Sequence, residues 1–324
     1  MNALLVGFFG EGNLGDEAIL QGVLSTLPPG HRISVTAGNH RQHQGPEYLP
    51  RQGLVAWHRF IRELQSSRHI WFAGGILQDW SFEGTTFFGL RVLAAHHLGK
   101  PPSFWGAGIG PFHRRSTRRF VSRVLRYPHP VWLRDKHSCD LYHALTGRTA
   151  NLGADWSWAI PPCVSQQEKI APGTIGMNLR PWFFNDWQHH LQMLSAGLPA
   201  GKPQLGIAAR PEDRRLMHRL VPHADIKDCD DFASLIGLSA QLCEGWAMRY
   251  HVLLAMLRAG IPVIPLPYDE KVRSLCEEAG ISLPVDVRQA PFLACHPRPD
   301  FSETLLARFQ SMKRAFLAQV ASDS

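Results

Sequence analysis

Cysteine pairs and long apolar runs are both missing from this 324-residue sequence. Its six cysteines are scattered and none forms a C-x-x-C pair, so neither a disulfide framework nor a cysteine metal site is expected, and a reducing compartment is favoured. No window approaches the roughly 18 apolar residues that a membrane span requires. The opening stretch MNALLVGFFGEG lacks the basic segment that begins a signal peptide, so we interpret it as a strand and expect a cytoplasmic protein.

Several catalytic and ligand-binding motifs are absent as well. The histidines include no H-E-x-x-H, and the adjacent pairs His96-His97 and His189-His190 do not have the spacing of metal ligands, so no metal is expected. No G-x-S-x-G indicates a serine hydrolase, and no Walker A sequence is present. The net charge of +7 includes no Lys/Arg block longer than a pair, which favours small anions or a weak surface attraction over a nucleic-acid groove.

Short apolar runs that end in glycine or a polar residue alternate with longer helical patterns, as in ALLVGFF, HRISVTAG and RHIWFAGG. This alternation predicts an α/β fold with parallel sheets and crossover helices. A proline-rich stretch near residues 160–174 separates two such series. We therefore expect two Rossmann-like domains, residues 1–163 and 172–324, that face a cleft. A final helix over 302–320 has an apolar face typical of core packing and could cross back to the first domain.

A G-x-G-x-x-G spacing begins at Gly10, between a predicted strand and a predicted helix. A dinucleotide site is disfavoured, because no carboxylate ends the second strand and because Asp16 and Glu17 in the first helical turn would repel a pyrophosphate. One interpretation is a tight turn with an acidic cap. The other is that Asn13, Asp16 and Glu17 present hydrogen-bond acceptors to a hydroxyl-rich ligand, and a sugar fits that description.

Three arginines in the second half of the sequence lie at the ends of predicted strands or helices. Arg180 and Arg210 each follow a strand and precede a proline, and Arg249 opens a helix, with His251 two residues later. If they converge, they form a cationic pocket for a phosphate and a carboxylate, because guanidinium groups bind both in bidentate fashion. Surface ion pairs and a structural histidine are the alternative. The stretch RPEDRRLMHR, which begins at Arg210, is typical of a solvated helix start.

Four sequence blocks, taken together and in this order, resemble the polysaccharide pyruvyl transferase family. They are GEGNLGDEAIL near the N-terminus, AGGILQD around Gly74, GAGIGP with the later LRDKHSCDL, and MRYHVLLAMLRAGIPVIPLPYDEKV from Met248. The first and last blocks are the more specific ones. The resemblance implies a two-domain fold similar to GT-B glycosyltransferases and a transfer of pyruvate from phosphoenolpyruvate to two sugar hydroxyls as a ketal, with phosphoenolpyruvate as co-substrate and no cofactor.

The resemblance also implies roles for individual residues. Arg180, Arg249 and His251 would lie at the donor, while Asn13 and Asp16 would lie on the acceptor side. Phosphoenolpyruvate chemistry requires a proton-transfer group beside the cations that hold the anion, so His251 is the candidate acid/base, with Arg249 and Arg180 neutralising the donor. From the residues themselves, Arg210 is a weaker third clamp and Glu17 a second carboxylate beside Asp16 for the acceptor hydroxyls.

The sequence is also compatible with two other functions, a glycosyltransferase and a sugar-binding protein. A glycosyltransferase that uses a nucleotide sugar could employ the same architecture, with Glu244 or Asp269 as the ribose carboxylate. A non-catalytic sugar-binding protein is the third alternative. The acceptor would be a cell-envelope or exopolysaccharide sugar, free or lipid-linked, and the basic surface could bring the protein to the anionic inner face of the membrane.

Overall fold

The computed structural model describes residues 2–39, 45–80, 82–163, 169–182, 191, 201–283 and 293–322. The chain divides into two compact units, which are Met1–Ala159 together with Leu305–Ser324, and Ile160–Thr304. The division falls at Ile160, at the start of the proline-rich stretch that the sequence suggests as a linker; residues 164–168 of that stretch lie outside the described part. Residues from Leu305 onward are grouped with the first unit.

The first unit contains a seven-stranded parallel sheet in the order β3-β2-β1-β4-β5-β6-β7. Chain order and strand order diverge between β1 and β4, because the chain moves outward to β3 before it returns to β4. The carboxyl ends of β1 and β4 therefore border the crevice that open α/β sheets use for ligands. The strands are β1 (Asn2–Phe9), β2 (Arg32–Ala37), β3 (Glu47–Pro50), β4 (His69–Ile76), β5 (Pro102–Ile109), β6 (Val131–Leu133) and β7 (Asn151–Leu152).

The helices of the first unit are divided between the two faces of this sheet. One face carries α2 (Leu54–Ser66), α3 (Phe82–His97), α4 (Arg115–Val124) and α5 (Lys136–Thr146), whose apolar residues share one core with alternate residues of β1, β4 and β5. The opposite face is covered by α10 (Phe301–Ala321), since Phe316 packs edge-on against Trp71 and Trp105. A short 3-10 helix (Trp156–Ala159) packs on α1 (Leu14–Thr26).

The second unit contains a five-stranded parallel sheet in the order β10-β9-β8-β11-β12. Here chain order and strand order diverge between β8 and β11, so their carboxyl ends border the second crevice. The strands are β8 (Ile175–Asn178), β9 (Gln204–Ala208), β10 (Asp225–Asp228), β11 (Glu244–Ala247) and β12 (Val263–Pro265). The described helices are α6 (Pro211–Leu220), α7 (Phe232–Ser239), α8 (Tyr250–Arg258) and α9 (Glu270–Glu278).

Aspartates fix the start of several helices. Asp231 and Asp269 precede α7 and α9, and each side chain accepts a hydrogen bond from a backbone N–H of the first turn. The predicted α/β class with parallel sheets is confirmed in both units. Among the described helices, none has the length and apolar character that a bilayer span would need.

Candidate functional site

Asn178 joins three neighbouring strands at the crevice of the second unit. It is the last residue of β8 and is fully buried. Its Oδ1 accepts a hydrogen bond from the Arg249 backbone N–H at 3.0 Å, and its Nδ2 donates to the Ile207 carbonyl oxygen of β9 at 2.8 Å. A buried amide whose donor and acceptor are both engaged fixes the positions of the groups it binds. Asn178 therefore sets where Arg249 leaves β11 and enters α8.

Arg249 forms a buried bidentate ion pair with Asp213. The guanidinium Nε lies 2.5 Å from Asp213 Oδ2, and Nη2 lies 2.6 Å from Asp213 Oδ1. Both residues are buried, and Asp213 has no exposed surface. Burial by itself lowers the pKa of Arg249, but the hydrogen bonds to Asp213 outweigh it and raise that pKa above its usual value, so Arg249 stays charged. Within the described residues Nη1 makes no hydrogen bond, and it is the nitrogen left for a ligand.

Glu212 connects Arg249 to a second arginine. Its Oε1 accepts hydrogen bonds from Arg249 Nη2 at 3.4 Å and from Arg210 Nη1 at 3.3 Å. Partial burial raises the pKa of Glu212, but its own backbone N–H and the two guanidinium groups outweigh that, so the pKa lies below its usual value. The carboxylate is thus ionised at neutral pH and holds Arg210 beside Arg249.

Arg180 is held mainly by aromatic side chains. Its Nη1 donates to the Tyr268 hydroxyl at 2.7 Å, and its guanidinium carbon lies 4.9 Å from the Tyr268 ring centroid and 5.1 Å from that of Trp182. The Nε is buried and has no hydrogen-bond partner in the described part of the chain. A buried donor without a partner is costly, so this nitrogen is a candidate for contact with a ligand. Burial raises the pKa of Asp213, and the charges of Arg249 and the nearby Arg180 act against that rise.

The three predicted arginines therefore lie in one cluster at the carboxyl ends of β8, β9 and β11. We define the arginine cluster as Arg180, Arg210 and Arg249 with the carboxylates Glu212 and Asp213. Three guanidinium groups against two carboxylates leave the cluster positive. An adjoining pocket of about 310 Å³ is lined by Pro181, Trp182, Leu191, Glu212, Arg215, Leu216 and Arg219. It shares Trp182 and Glu212 with the surroundings of the cluster.

His251 points to a different set of neighbours. Its ring meets Phe232 of α7 edge-on at a centroid distance of 6.1 Å and lies 5.0 Å from the ring of Tyr250. The described contacts of the Arg249 side chain are instead with the first turn of α6. Arg249 is the N-cap residue of α8 and has an extended backbone, whereas His251 lies in the first helical turn, so the helix does not place the two side chains on one face. His251 is half-buried at the start of α8, and its role as acid/base stays a prediction.

The glycine loop of the first unit is held by Glu17. The Gly10 N–H donates to Glu17 Oε1 at 2.6 Å, and Glu17 is almost fully buried. Gly10 has φ of +69°, and a Cβ there would lie 2.8 Å from the backbone nitrogen of Gly38, so only glycine fits. Burial raises the pKa of Glu17 to about 7, although the Gly10 hydrogen bond acts against it. One of the three predicted acceptor residues therefore holds the loop itself.

Asn13 and Asp16 lie together at the crevice end of β1. The Asn13 side-chain amide donates to Asp16 Oδ2, and Asp16 is buried. A Cβ at Gly74, at the end of β4, would lie 3.9 Å from Asp16 Oδ1. Gly74 has φ of +83°, a backbone conformation that favours glycine and leaves space in front of this carboxylate. The structure thus brings Asn13, Asp16 and Glu17 to the predicted strand end.

Several residues of the site cannot be recognised in the sequence. Asp213 belongs to the stretch RPEDRRLMHR, and the interpretation of that stretch as a solvated helix start is wrong for this residue, which is fully buried. Asn178 and Tyr268 are likewise essential to the geometry but stand alone in the sequence. The available signal is positional, since a carboxylate in the first turn after a strand-end arginine can reach the neighbouring strand. The described residues contain no group of histidine, cysteine and carboxylate side chains that could hold a metal, and His189-His190 lie outside them.

Comparison with known families identifies one match. Residues 13–270 match the family described as polysaccharide pyruvyl transferase, which is more than half of the chain. The match covers the arginine cluster and His251, and it begins at Asn13, after Gly10 and Gly12 of the glycine loop. No curated protein sequence matches the chain significantly.

Several solved structures are similar to this chain in fold, and the three described next are complexes with UDP or a UDP-sugar. HepE of Anabaena, in complex with UDP and glucose, is 12% identical with a TM-score of 0.61 over 99% of this chain and 100% of that one. UDP-GlcNAc 2-epimerase of Neisseria meningitidis, bound to UDP-GlcNAc, is 12% identical with a TM-score of 0.63 over 99% and 100%. UGT2 of Phytolacca americana, complexed with UDP-2fluoro-glucose and pterostilbene, is 10% identical with a TM-score of 0.51 over 99% of both chains. The predicted GT-B-like fold is confirmed, and at these identities the likeness concerns the fold alone.

Proposed function

Because the chain belongs to the polysaccharide pyruvyl transferase family, we propose that it transfers pyruvate from phosphoenolpyruvate to two hydroxyls of a saccharide, as a ketal. The observation that carries the proposal is the arginine cluster. In it the buried Arg180 Nε and the Arg249 Nη1 make no hydrogen bond to any described residue. Phosphoenolpyruvate is a small anion with a phosphate and a carboxylate, and guanidinium groups bind both.

The donor would be bound by the cluster as a unit. Arg180 and Arg249 would neutralise the phosphate and the carboxylate, and Arg210, held beside Arg249 by Glu212, would serve as a third clamp. Asp213 would keep the Arg249 guanidinium in place without neutralising the whole cluster. Such preorganised charges stabilise the charge that develops on the leaving phosphate.

The reaction requires one proton transfer to carbon and two attacks by hydroxyl groups. An acid protonates the methylene carbon of phosphoenolpyruvate, and a sugar hydroxyl forms a bond to the neighbouring carbon while losing its proton. The carbon–oxygen bond to phosphate then breaks and phosphate leaves. The second hydroxyl attacks the same carbon and loses its proton, which closes the ketal ring. The products are the ketal and inorganic phosphate. His251 is the proposed acid, and substrate binding would have to bring the methylene carbon to its ring.

The acceptor would be bound at the glycine loop. Asp16, oriented by the Asn13 amide, offers a carboxylate at the crevice end of β1, where it would hold the attacking hydroxyls. Glu17 would support this site by holding the Gly10 turn, and its raised pKa makes it a second proton acceptor near neutral pH. The proposed acceptor is a cell-envelope or exopolysaccharide sugar, and a lipid-linked form would place the protein on the cytoplasmic face of the membrane.

A nucleotide-sugar glycosyltransferase is the second candidate, since three of the solved structures similar in fold are complexes with UDP or a UDP-sugar. Of the two carboxylates predicted for a ribose, Glu244 Oε1 accepts a hydrogen bond from the Trp246 indole N–H at 2.6 Å. Asp269 caps α9 through Oδ1 and lies 3.2 Å from Lys271 Nζ, but its buried Oδ2 makes no hydrogen bond to a described residue. The family match, and not these contacts, favours the pyruvyl donor.

Thermal-shift titration of the full chain distinguishes the candidates. Phosphoenolpyruvate should raise the unfolding temperature as its concentration rises, because a ligand that binds only the folded state stabilises it. Stabilisation by UDP-glucose and not by phosphoenolpyruvate would favour the glycosyltransferase. Stabilisation by glycans alone would favour a sugar-binding protein without catalytic activity.

A further inference from the structure

Helix α4 and the residues around it form a strongly basic surface on the first unit. Six arginines lie within thirteen residues of the segment HRRSTRRFVSRVLR, and all of them are exposed: Arg114, Arg115, Arg118, Arg119, Arg123 and Arg126. We call these residues the arginine face. The other side of the helix, with Thr117, Val121 and Val124, is buried against the core. The pattern is that of an amphipathic helix whose charged side chains are all cationic.

The charge of the arginine face is not neutralised by its surroundings. The sequence contains no aspartate or glutamate between Glu83 and Asp135. Arg114 lies 3.6 Å from the buried Asp79, but Arg115, Arg118, Arg119 and Arg123 form no ion pair with any described residue. On the neighbouring α5, Asp140 is paired with Lys136. An unpaired cationic surface of this density attracts polyanions or anionic membranes.

Exposed apolar side chains lie in the same layer of helices. Leu54 and Val55, at the start of α2, are 90% and 71% exposed, and Trp57 of α2 and Leu90 of α3 are also exposed. Because α2, α3 and α4 each follow a parallel strand, their N-terminal ends all lie at the same edge of the sheet. We call these four residues the apolar rim.

Side-chain contacts show that the helices are adjacent in this order. Arg91 of α3 lies over the Trp57 ring of α2, with its guanidinium carbon 5.5 Å from the ring centroid. On the other side of α3, Phe120 of α4 packs against Gly89. The arginine face and the apolar rim thus belong to one layer, on the sheet face opposite α10.

We infer that this layer is the surface by which the protein docks on an anionic lipid bilayer, with the arginine face at the phosphate groups and the apolar rim in the headgroup region. Unpaired cations alone would suit any polyanion, but exposed leucine, valine and tryptophan side chains gain free energy only where they leave water. This combination favours a membrane over a nucleic acid or an anionic glycan. The inference specifies the membrane contact of the proposed function, yet none of its residues belongs to the arginine cluster.

The test is co-sedimentation of the full chain with vesicles of phosphatidylcholine, alone or mixed with phosphatidylglycerol. We expect binding only to the anionic vesicles and a decrease as salt is added. The Arg118→Gln/Arg119→Gln variant should bind roughly 30-fold more weakly, since each cation near an anionic surface contributes about fivefold. The matched control is Lys313→Gln/Arg314→Gln on α10, which removes the same charge from the opposite sheet face and should bind like wild type.

A second variant tests the apolar rim. Leu54→Ser/Val55→Ser should weaken the binding that persists at high salt by about tenfold, because apolar burial is not screened. Equal losses in the α4 variant and the α10 control would overturn the inference, as would binding to a duplex oligonucleotide but not to vesicles. Phosphate release from phosphoenolpyruvate with a water-soluble acceptor, measured in parallel, should be unchanged in every variant. Failure of docking is thereby distinguishable from failure of the donor chemistry.

Discussion

Arg249 and Asp213, 36 residues apart in the sequence, form a buried bidentate ion pair that joins the end of β11 to the first turn of α6. Strand order makes this possible, because β9 and β11 flank β8 in the sheet. Asp213 thus acts on the proposed donor through Arg249 and is a positioning residue. The pair occupies the Nε–Nη2 edge of the guanidinium and leaves Nη1 for a ligand.

The first prediction concerns Asp213→Asn. The substitution removes the buried counter-ion of Arg249 and leaves it only the longer contact with Glu212 at 3.4 Å. Losing one partner of a buried pair costs about 3–5 kcal/mol of unfolding free energy. Denaturant unfolding at neutral pH measures the loss. The matched control is Asp228→Asn, which breaks the partly exposed pair with Arg214 and should cost no more than about 1 kcal/mol. If both variants lost a similar free energy of unfolding, the buried pair would contribute no more to stability than the partly exposed one.

The second prediction concerns Arg180→Lys. Lysine keeps the charge but cannot reproduce the fork of donors or the stacking on Tyr268 and Trp182. We expect kcat/KM for phosphoenolpyruvate to fall roughly 10- to 100-fold, the value of one hydrogen bond to a charged group. The assay is phosphate release at a saturating acceptor concentration. Arg273→Lys is the control, since Arg273 pairs with Glu270 on α9, and it should retain wild-type kinetics.

The third prediction concerns Glu17 and pH. Burial raises its pKa from 4.5 to about 7, so between these values the folded protein holds a proton that the unfolded chain releases. The contribution of Glu17 to stability is therefore fully present below pH 4.5 and is lost as pH rises toward 7, by no more than about 3 kcal/mol.

The variant Glu17→Gln isolates this dependence, because a neutral amide oxygen can still accept the Gly10 hydrogen bond. Unfolding free energies of wild type and variant, measured between pH 4.5 and 8, should diverge in favour of the variant as pH rises. A difference that does not change with pH would mean that Glu17 titrates normally in the folded protein.

The fourth prediction concerns Asp16→Asn. If Asp16 orients the acceptor hydroxyls, the variant should raise KM for the acceptor or lower kcat, while the shift of unfolding temperature by phosphoenolpyruvate stays as in wild type. Initial rates at varied acceptor and fixed donor provide the measurement. Asp140→Asn, on the exposed surface of α5, is the matched control. Unchanged acceptor kinetics would remove Asp16 from the site.

Local patterns in the sequence predict much of this arrangement. Apolar runs that end at glycine predict the parallel sheets, and the prolines after Arg180 and Arg210 correctly indicate where their strands end. The helix that follows Arg249 is also predicted from the sequence. These features depend on residues close to each other in the chain, for which periodicity and turn chemistry are informative.

Contacts between distant residues could not be predicted in this way. The burial of Asp213 depends on which strands are neighbours, and the order of elements in the chain does not determine that. Arg134 illustrates the same limit, since it forms buried ion pairs at 3.1 Å with Asp135 and at 3.4 Å with Asp155, which lies 21 residues further along the chain. Arg134 and Asp135 of the block LRDKHSCDL thus belong to one buried charge network with Asp155. The direction of the His251 ring toward Phe232 likewise depends on the packing of α7 against α8.

Mass spectrometry of candidate cell-envelope saccharides, incubated with the protein and phosphoenolpyruvate, tests the central claim most directly. The account predicts that an acceptor gains one pyruvate ketal, with one phosphate released for each ketal, and that Arg249→Ala abolishes both products while the variant remains folded. Transfer of a sugar from UDP-glucose with no product from phosphoenolpyruvate, or full turnover by Arg249→Ala, would contradict it.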